Sequence, residues 1–246
     1  MYEIARCGAG RALVERLLDR ASPGARAAGI ARTKWIDEEV TRALETSSQF
    51  VLLGAGFDTR AYLLPAAQRV STFELDRAEM SFAKQAALRK ELESLPERVQ
   101  FGSIDFNTQP VGDVLGRAGF DGTRPACFVW EGVTNYLSAE AVDGILRQIG
   151  QAAGGSILLF TYVDRRVLDG PKLFFGAEKL LSRLRSYGEP WTFGLYPEVV
   201  ERYLAARKLR LLRNLSVAEV WQQAGRPESD GHGYEFYRLA SAGVEG

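Results

Sequence analysis

Cysteine is nearly missing: Cys7 and Cys127 are the only two in 246 residues, far apart and in unlike contexts. That argues against a disulfide framework and fits a reducing, cytoplasmic setting. Histidine is scarcer, a single His232, so a dedicated zinc or iron site is not expected. Excess charge of either sign is also lacking, with 31 Lys plus Arg against 31 Asp plus Glu. Without a basic field, neither nucleic acid nor an anionic membrane is an expected partner. No apolar run is long enough to span a bilayer, and charges interrupt the N-terminal "MYEIARCGAGRALVERLLDR" too often for a signal-peptide core. What is present is an ordinary globular composition, 46% hydrophobic and 25% charged, of a length suited to one domain over residues 1–246. A soluble protein handling a small molecule is expected.

Short apolar runs alternate with helical patterns. Strands are expected at Phe50–Leu53, Val70–Leu75, Val99–Ile104, Ala126–Trp130, Ser156–Val163, Leu209–Leu215 and Tyr234–Ala240. Between them, Val142, Ile145, Leu146 and Ile149 mark a helix over Ala139–Ala152, with Ser138 as N-cap. A second helix from Ala78 to about Leu92 would face inward through Met80, Ala83, Ala87 and Leu88. The alternation predicts a parallel α/β sheet covered on both faces. Residues 1–46 read as a helical cap, two helices around a "SPGARAAG" break. Residues 164–195, rich in Gly, Pro, Trp and Phe, interrupt the alternation and read as a substrate lid. Phe174, Phe175, Tyr187, Trp191, Phe193 and Tyr196 would then either line an acceptor pocket or pack the insertion onto the sheet.

In "FVLLGAGFDTRAYLL" a buried strand runs straight into Gly54, Ala55 and Gly56. Glycines there allow a tight turn and let a ligand approach the backbone. Dinucleotide sites place a third glycine where this chain has Thr59, and Asp58 would repel a pyrophosphate. A nicotinamide-dependent oxidoreductase is therefore the weaker alternative. S-adenosylmethionine, with a sulfonium, an ammonium and one carboxylate, suits the turn better. Later strands add carboxylates. "FELD" ends in Asp76, about 20 positions on, where an acid can hold ribose hydroxyls, and Glu74 shares its face by two-residue alternation. "SIDFN" offers Asp105 to an adenine amino group and Phe106 to its ring. "VWEGVTNYL" sets Glu131 at the crevice beside Trp130, where a buried carboxylate needs a cationic partner such as the ligand's ammonium or sulfonium.

In this order, "ARTKWID", "VLLGAGFDTRAYLL", "FELD", "IDFN" and "WEGVTNYL" resemble the leucine carboxyl methyltransferase family, specifically its bacterial O-methyltransferases, some of natural-product pathways. The resemblance covers about residues 28–165 and continues more loosely through "GEPWTFG" and "GYEFYRLA". It implies a Rossmann-like class I methyltransferase fold, a seven-stranded, mostly parallel sheet with an antiparallel last strand. It further implies Arg32 on the methionine carboxylate, Gly54 lining the turn, Asp76 on ribose, Asp105 and Phe106 on adenine, Glu131 on the amino-acid end and Tyr136 near the transferred methyl. Family members usually carry a longer N-terminal region with a further basic cofactor contact.

A carboxylic acid ordinarily titrates near ~4, so its carboxylate accepts a methyl group without a base, whereas a phenol, titrating near ~10, generally needs one. The expectation is O-methylation of a small, possibly aromatic or polyketide-like acceptor at a carboxylate, oriented by Arg32 or Tyr136. The alternatives are a phenol deprotonated by His232 and a non-catalytic nucleoside-binding regulator.

Overall fold

The computed structural model describes residues 24–225 and 234–245. Helix α1 (Ala25–Ala43) precedes β1 (Gln49–Leu53), a strand buried along its whole length, as continuous apolar runs in parallel sheets are. The short α2 (Arg60–Leu63), β2 (Ser71–Asp76), α3 (Ala78–Glu91) and β3 (Val99–Ser103) follow. Then come α4 (Val111–Arg117), β4 (Ala126–Trp130), α5 (Ala139–Ile149) and β5 (Ile157–Val163). The Ser138 hydroxyl accepts the Ala141 N–H at the start of α5, the expected cap. Beyond the insertion lie α8 (Val200–Ala205), β6 (Leu209–Ser216), α9 (Val217–Gln223) and β7 (Tyr237–Val244).

The seven strands are ordered β3-β2-β1-β4-β5-β7-β6. β7 is antiparallel to both neighbours and the other pairings are parallel. The chain builds outward from β1 to β3, then returns to lay β4 on the other side of β1. That reversal opens a crevice at the carboxyl ends of β1 and β4, where open α/β sheets bind ligands. Leu52 pairs with both Glu74 and Val129, so β1, β2 and β4 end at a common edge. Side chains alternate between two cores. One joins Val51, Leu53 and Phe128 to α4, α5 and α8, and the other joins Phe50, Leu52 and Val129 to α1 and α9.

Three expectations need correction. β7 begins three residues after Tyr234, because Tyr234 has a positive φ of 64° and Phe236 turns into an aromatic cluster with Phe174 and Trp191. α3 presents Ser81 and Lys84 to the interior, and Ala83 and Ala87 stay exposed. α1 starts inside "SPGARAAG", behind Gly24 at φ 78°; the other helix expected in 1–46 lies outside the described residues.

The 164–195 insertion holds α6 (Arg166–Asp169) and α7 (Ala177–Ser186) and ends in an extended run. Its ends are stitched together: the Leu195 N–H donates to Val163 O and the Arg165 N–H to Leu195 O. Of its aromatics, Phe193 is buried in the α5-side core and Trp191 packs against Phe236 and Tyr237, whereas Tyr187 is exposed.

Candidate functional site

The turn after β1 is pinned from β2. Gly54 and Ala55 both donate their N–H groups to Leu75 O, at 2.8 and 3.0 Å. Gly54 has φ 72°, and a Cβ there would fall 2.3 Å from Val133 Cγ2 in the loop after β4. Glycine is therefore required by conformation and by packing. The Gly56 N–H donates to Asp76 Oδ2 at 2.6 Å, and the Arg77 N–H to Asp76 Oδ1 at 2.7 Å.

Two hollows of comparable size meet at this turn. The first, about 510 Å³, is lined by Arg32, Asp37, Ala55, Gly56, Asp58, Arg60 and Glu131. The second, also about 510 Å³, is lined by Asp76, Asp105, Phe106, Tyr136 and residues 188–190 and 192 of the insertion. Gly54 and Gly132 line both. All the expected site residues among the described ones thus reach one crevice. Arg32 and Tyr136, both expected to orient the acceptor, stand in different hollows. His232 lies outside the described residues.

The first hollow is organised by Arg60, which sequence reasoning missed. Its guanidinium is 9% exposed and reaches Asp37 at 2.6 Å, Asp58 at 2.6 Å and Glu131 at 2.7 Å. Arg32 pairs with the other Glu131 oxygen and stacks over the Tyr237 ring at 5.4 Å. Burial opposes the Arg60 charge, but Asp58, Glu131 and Asp37 more than offset it and hold its pKa above the ordinary guanidinium value. Two expectations change. Glu131 has protein cations as partners, so it does not depend on a ligand for countercharge, and Asp58 is neutralised by Arg60, which weakens its expected repulsion of a pyrophosphate. The available signal was the Asp58-Thr59-Arg60 spacing, an acid and a base two residues apart at a helix start, with the Arg60 N–H donating to Asp58 Oδ1.

Three carboxylates (Asp37, Asp58 and Glu131) face two guanidiniums (Arg32 and Arg60), leaving one negative charge in excess. The second hollow differs. Asp105 is exposed and accepts the Asn107 N–H at 3.0 Å, and Phe106 is buried beside it. Behind the crevice, the Gly132 N–H donates to Thr161 Oγ1 at 2.8 Å, and the Tyr237 hydroxyl lies 3.3 Å from that same oxygen. Burial raises the Tyr237 pKa, although Arg32 acts against the rise.

Comparison with known proteins follows the same outline. A protein of Frankia alni described as a "Putative S-adenosyl-L-methionine-dependent methyltransferase" is 38% identical over 150 residues, covering 57% of this chain and 51% of that protein. A second from the same organism, with the same description, is 34% identical over 143 residues, covering 57% and 49%. The chain spans about half the length of the curated relatives it matches. Among solved structures, a protein from Thermobifida fusca described as a "putative methyltransferase" superposes with a TM-score of 0.65 at 21% identity, covering 98% of this chain and 90% of that one. A DUF574 family protein from Streptomyces avermitilis gives 0.67 at 18%, covering 93% and 88%. Identities this low speak to the fold alone. The leucine carboxyl methyltransferase family model matches residues 9–150, more than half of the sequence, and the chain belongs to the leucine carboxyl methyltransferase family.

Proposed function

We propose that this chain is an S-adenosylmethionine-dependent methyltransferase that methylates an oxygen of a small-molecule acceptor, a carboxylate in a secondary-metabolite pathway. One observation carries the cofactor reading: a hollow with one surplus negative charge opens, across two glycines, onto a second hollow bearing Asp76, Asp105 and Phe106. A zwitterionic amino acid carrying a sulfonium has one net positive charge, which complements the first hollow. An adenosine suits the second, where Asp76 and Asp105 retain free lone pairs after their backbone bonds. Bound there, S-adenosylmethionine supplies an electrophilic methyl on positive sulfur.

The chain's own residues hold and orient. Arg32 and Arg60 are the candidate receptors for the cofactor's carboxylate, and Glu131 and Asp58 for its ammonium. Asp76 takes ribose hydroxyls, and Asp105 and Phe106 take adenine. Tyr136, exposed on the loop after β4 and lining the second hollow, is the residue for acceptor positioning near the methyl. The 164–195 insertion acts as a lid that excludes water, supported by the place of residues 188–190 and 192 in the wall of the second hollow. A carboxylate acceptor needs alignment alone, since it is already ionised at neutral pH.

Two measurements test this. Calorimetry on ligand-stripped protein should give heat with S-adenosylmethionine and S-adenosylhomocysteine and none with NADH. Binding of the nicotinamide alone would remove the reading. Incubation with methyl-labelled cofactor and a panel of aromatic acids, phenols and carboxy-terminal peptides should give a base-labile product. A base-stable product would shift the acceptor to a phenol and bring His232 forward as base.

A further inference from the structure

Helix α3 buries Lys84, 3% exposed, against Glu74, 2% exposed, with Nζ 2.8 Å from Oε2. The pair lies under the crevice, outside both hollows. Glu74 is two residues before Asp76 on β2, and Tyr62, two residues after Arg60, closes over the pair with its ring 5.7 Å from Nζ. Burial pushes the Glu74 carboxyl above its usual range, with Lys84 opposing the rise. Ion pairs this deep are weak contributors to stability, because desolvation consumes most of the attraction, and an apolar pair of equal volume often serves as well. Packing therefore does not explain charges here.

The glycine turn offers an explanation. Besides Glu74, Lys84 Nζ approaches Ala55 O, at 3.5 Å. That carbonyl already accepts the Asp58 N–H at 2.8 Å, the bond that closes the turn. One ammonium thus approaches the Ala55–Gly56 peptide, held in place by a carboxylate from the strand that supplies Asp76. The geometry points to Lys84 and Glu74 as positioning residues that brace the Gly54–Gly56 turn from behind and fix its N–H groups and Asp76 for the cofactor. Neither side chain touches the reacting atoms. The ammonium restrains the Ala55 carbonyl, and the carboxylate restrains the ammonium. The inference rests on the methyl-donor reading above and adds a group of residues to it.

The test is the isosteric double variant E74Q/K84M, which removes both charges and leaves no buried ion stranded. If the pair braces the turn, the thermal midpoint should stay within a few degrees of the wild type. Calorimetric affinity for S-adenosylmethionine and S-adenosylhomocysteine should nevertheless fall at least tenfold, and turnover at saturating cofactor should change less than threefold. A folded double variant with wild-type affinity would overturn the proposal and leave the pair merely structural. Should the double variant not fold, Glu74→Asp draws Lys84 back from Ala55 while keeping both charges. It should weaken cofactor binding at least fivefold, and unchanged affinity there would equally overturn the brace. Wild-type protein that binds neither compound would remove the methyl-donor reading itself, and the brace with it. A loss confined to the variants tells the two failures apart.

Discussion

At the Arg60 end of the crevice, charged side chains are held by other charged side chains. At the Asp76 end, the carboxylates of Asp76 and Asp105 are held by backbone N–H groups. The two arrangements behave differently under perturbation. Side-chain pairs can exchange partners when a ligand brings its own charges, but removing one cation strands the carboxylates it served. A carboxylate fixed by backbone donors is oriented before any ligand arrives, and its loss leaves only half-exposed amides. The charged end should therefore couple binding to folding, and the backbone-held end should bind almost independently of stability.

The largest break in that contrast is expected from Arg60→Met. With Asp37, Asp58 and Glu131 left short of a partly buried cation, stability should drop by about 3–5 kcal/mol in denaturant titrations. Gly54→Ala strikes the junction. A left-handed residue with a side chain costs roughly 1–3 kcal/mol, and the Val133 contact adds to it, so the thermal midpoint and cofactor binding should fall together. Asp76→Asn sharpens the comparison from the other side. Stability should stay within about 0.5 kcal/mol, as for substitutions outside a core, while calorimetric cofactor affinity falls roughly tenfold with the loss of a charged acceptor. Ser138→Ala marks where the second end stops: it should cost about 1 kcal/mol of stability through the lost α5 cap and leave cofactor affinity unchanged.

Elements written in continuous apolar runs with clear punctuation were legible in the sequence. β4 falls on Ala126–Trp130 as expected, and α5 starts behind Ser138. Local order also sufficed for the row of carboxylates, because each follows its own strand. Only the local Asp58–Arg60 pair was there to be read; the other two partners of Arg60 lie 23 residues before it and 71 after it, and only the fold brings them together. Lys84 was missed for a related reason. Periodicity assigns a helix face by counting apolar residues, and α3 places a lysine inward because Glu74 awaits it across the strand. The end of β7 was obscured by small residues: the strand expected to stop at Ala240 continues through Ser241, Ala242 and Gly243, all paired with β5.

The stitch between Val163, Arg165 and Leu195 turns residues 166–191 into a cassette. Backbone hydrogen bonds gather both of its ends at the end of β5, and a third tie, from the Thr192 N–H to Asn135 O, fastens its exit to the loop after β4. Lengthening a closed loop costs entropy only logarithmically. The exposed stretch at residues 185–187, clear of the buried Val167, Ala177 and Leu181 and of residues 188–190 in the wall of the second hollow, can therefore be resized without disturbing the strand ends that frame the crevice.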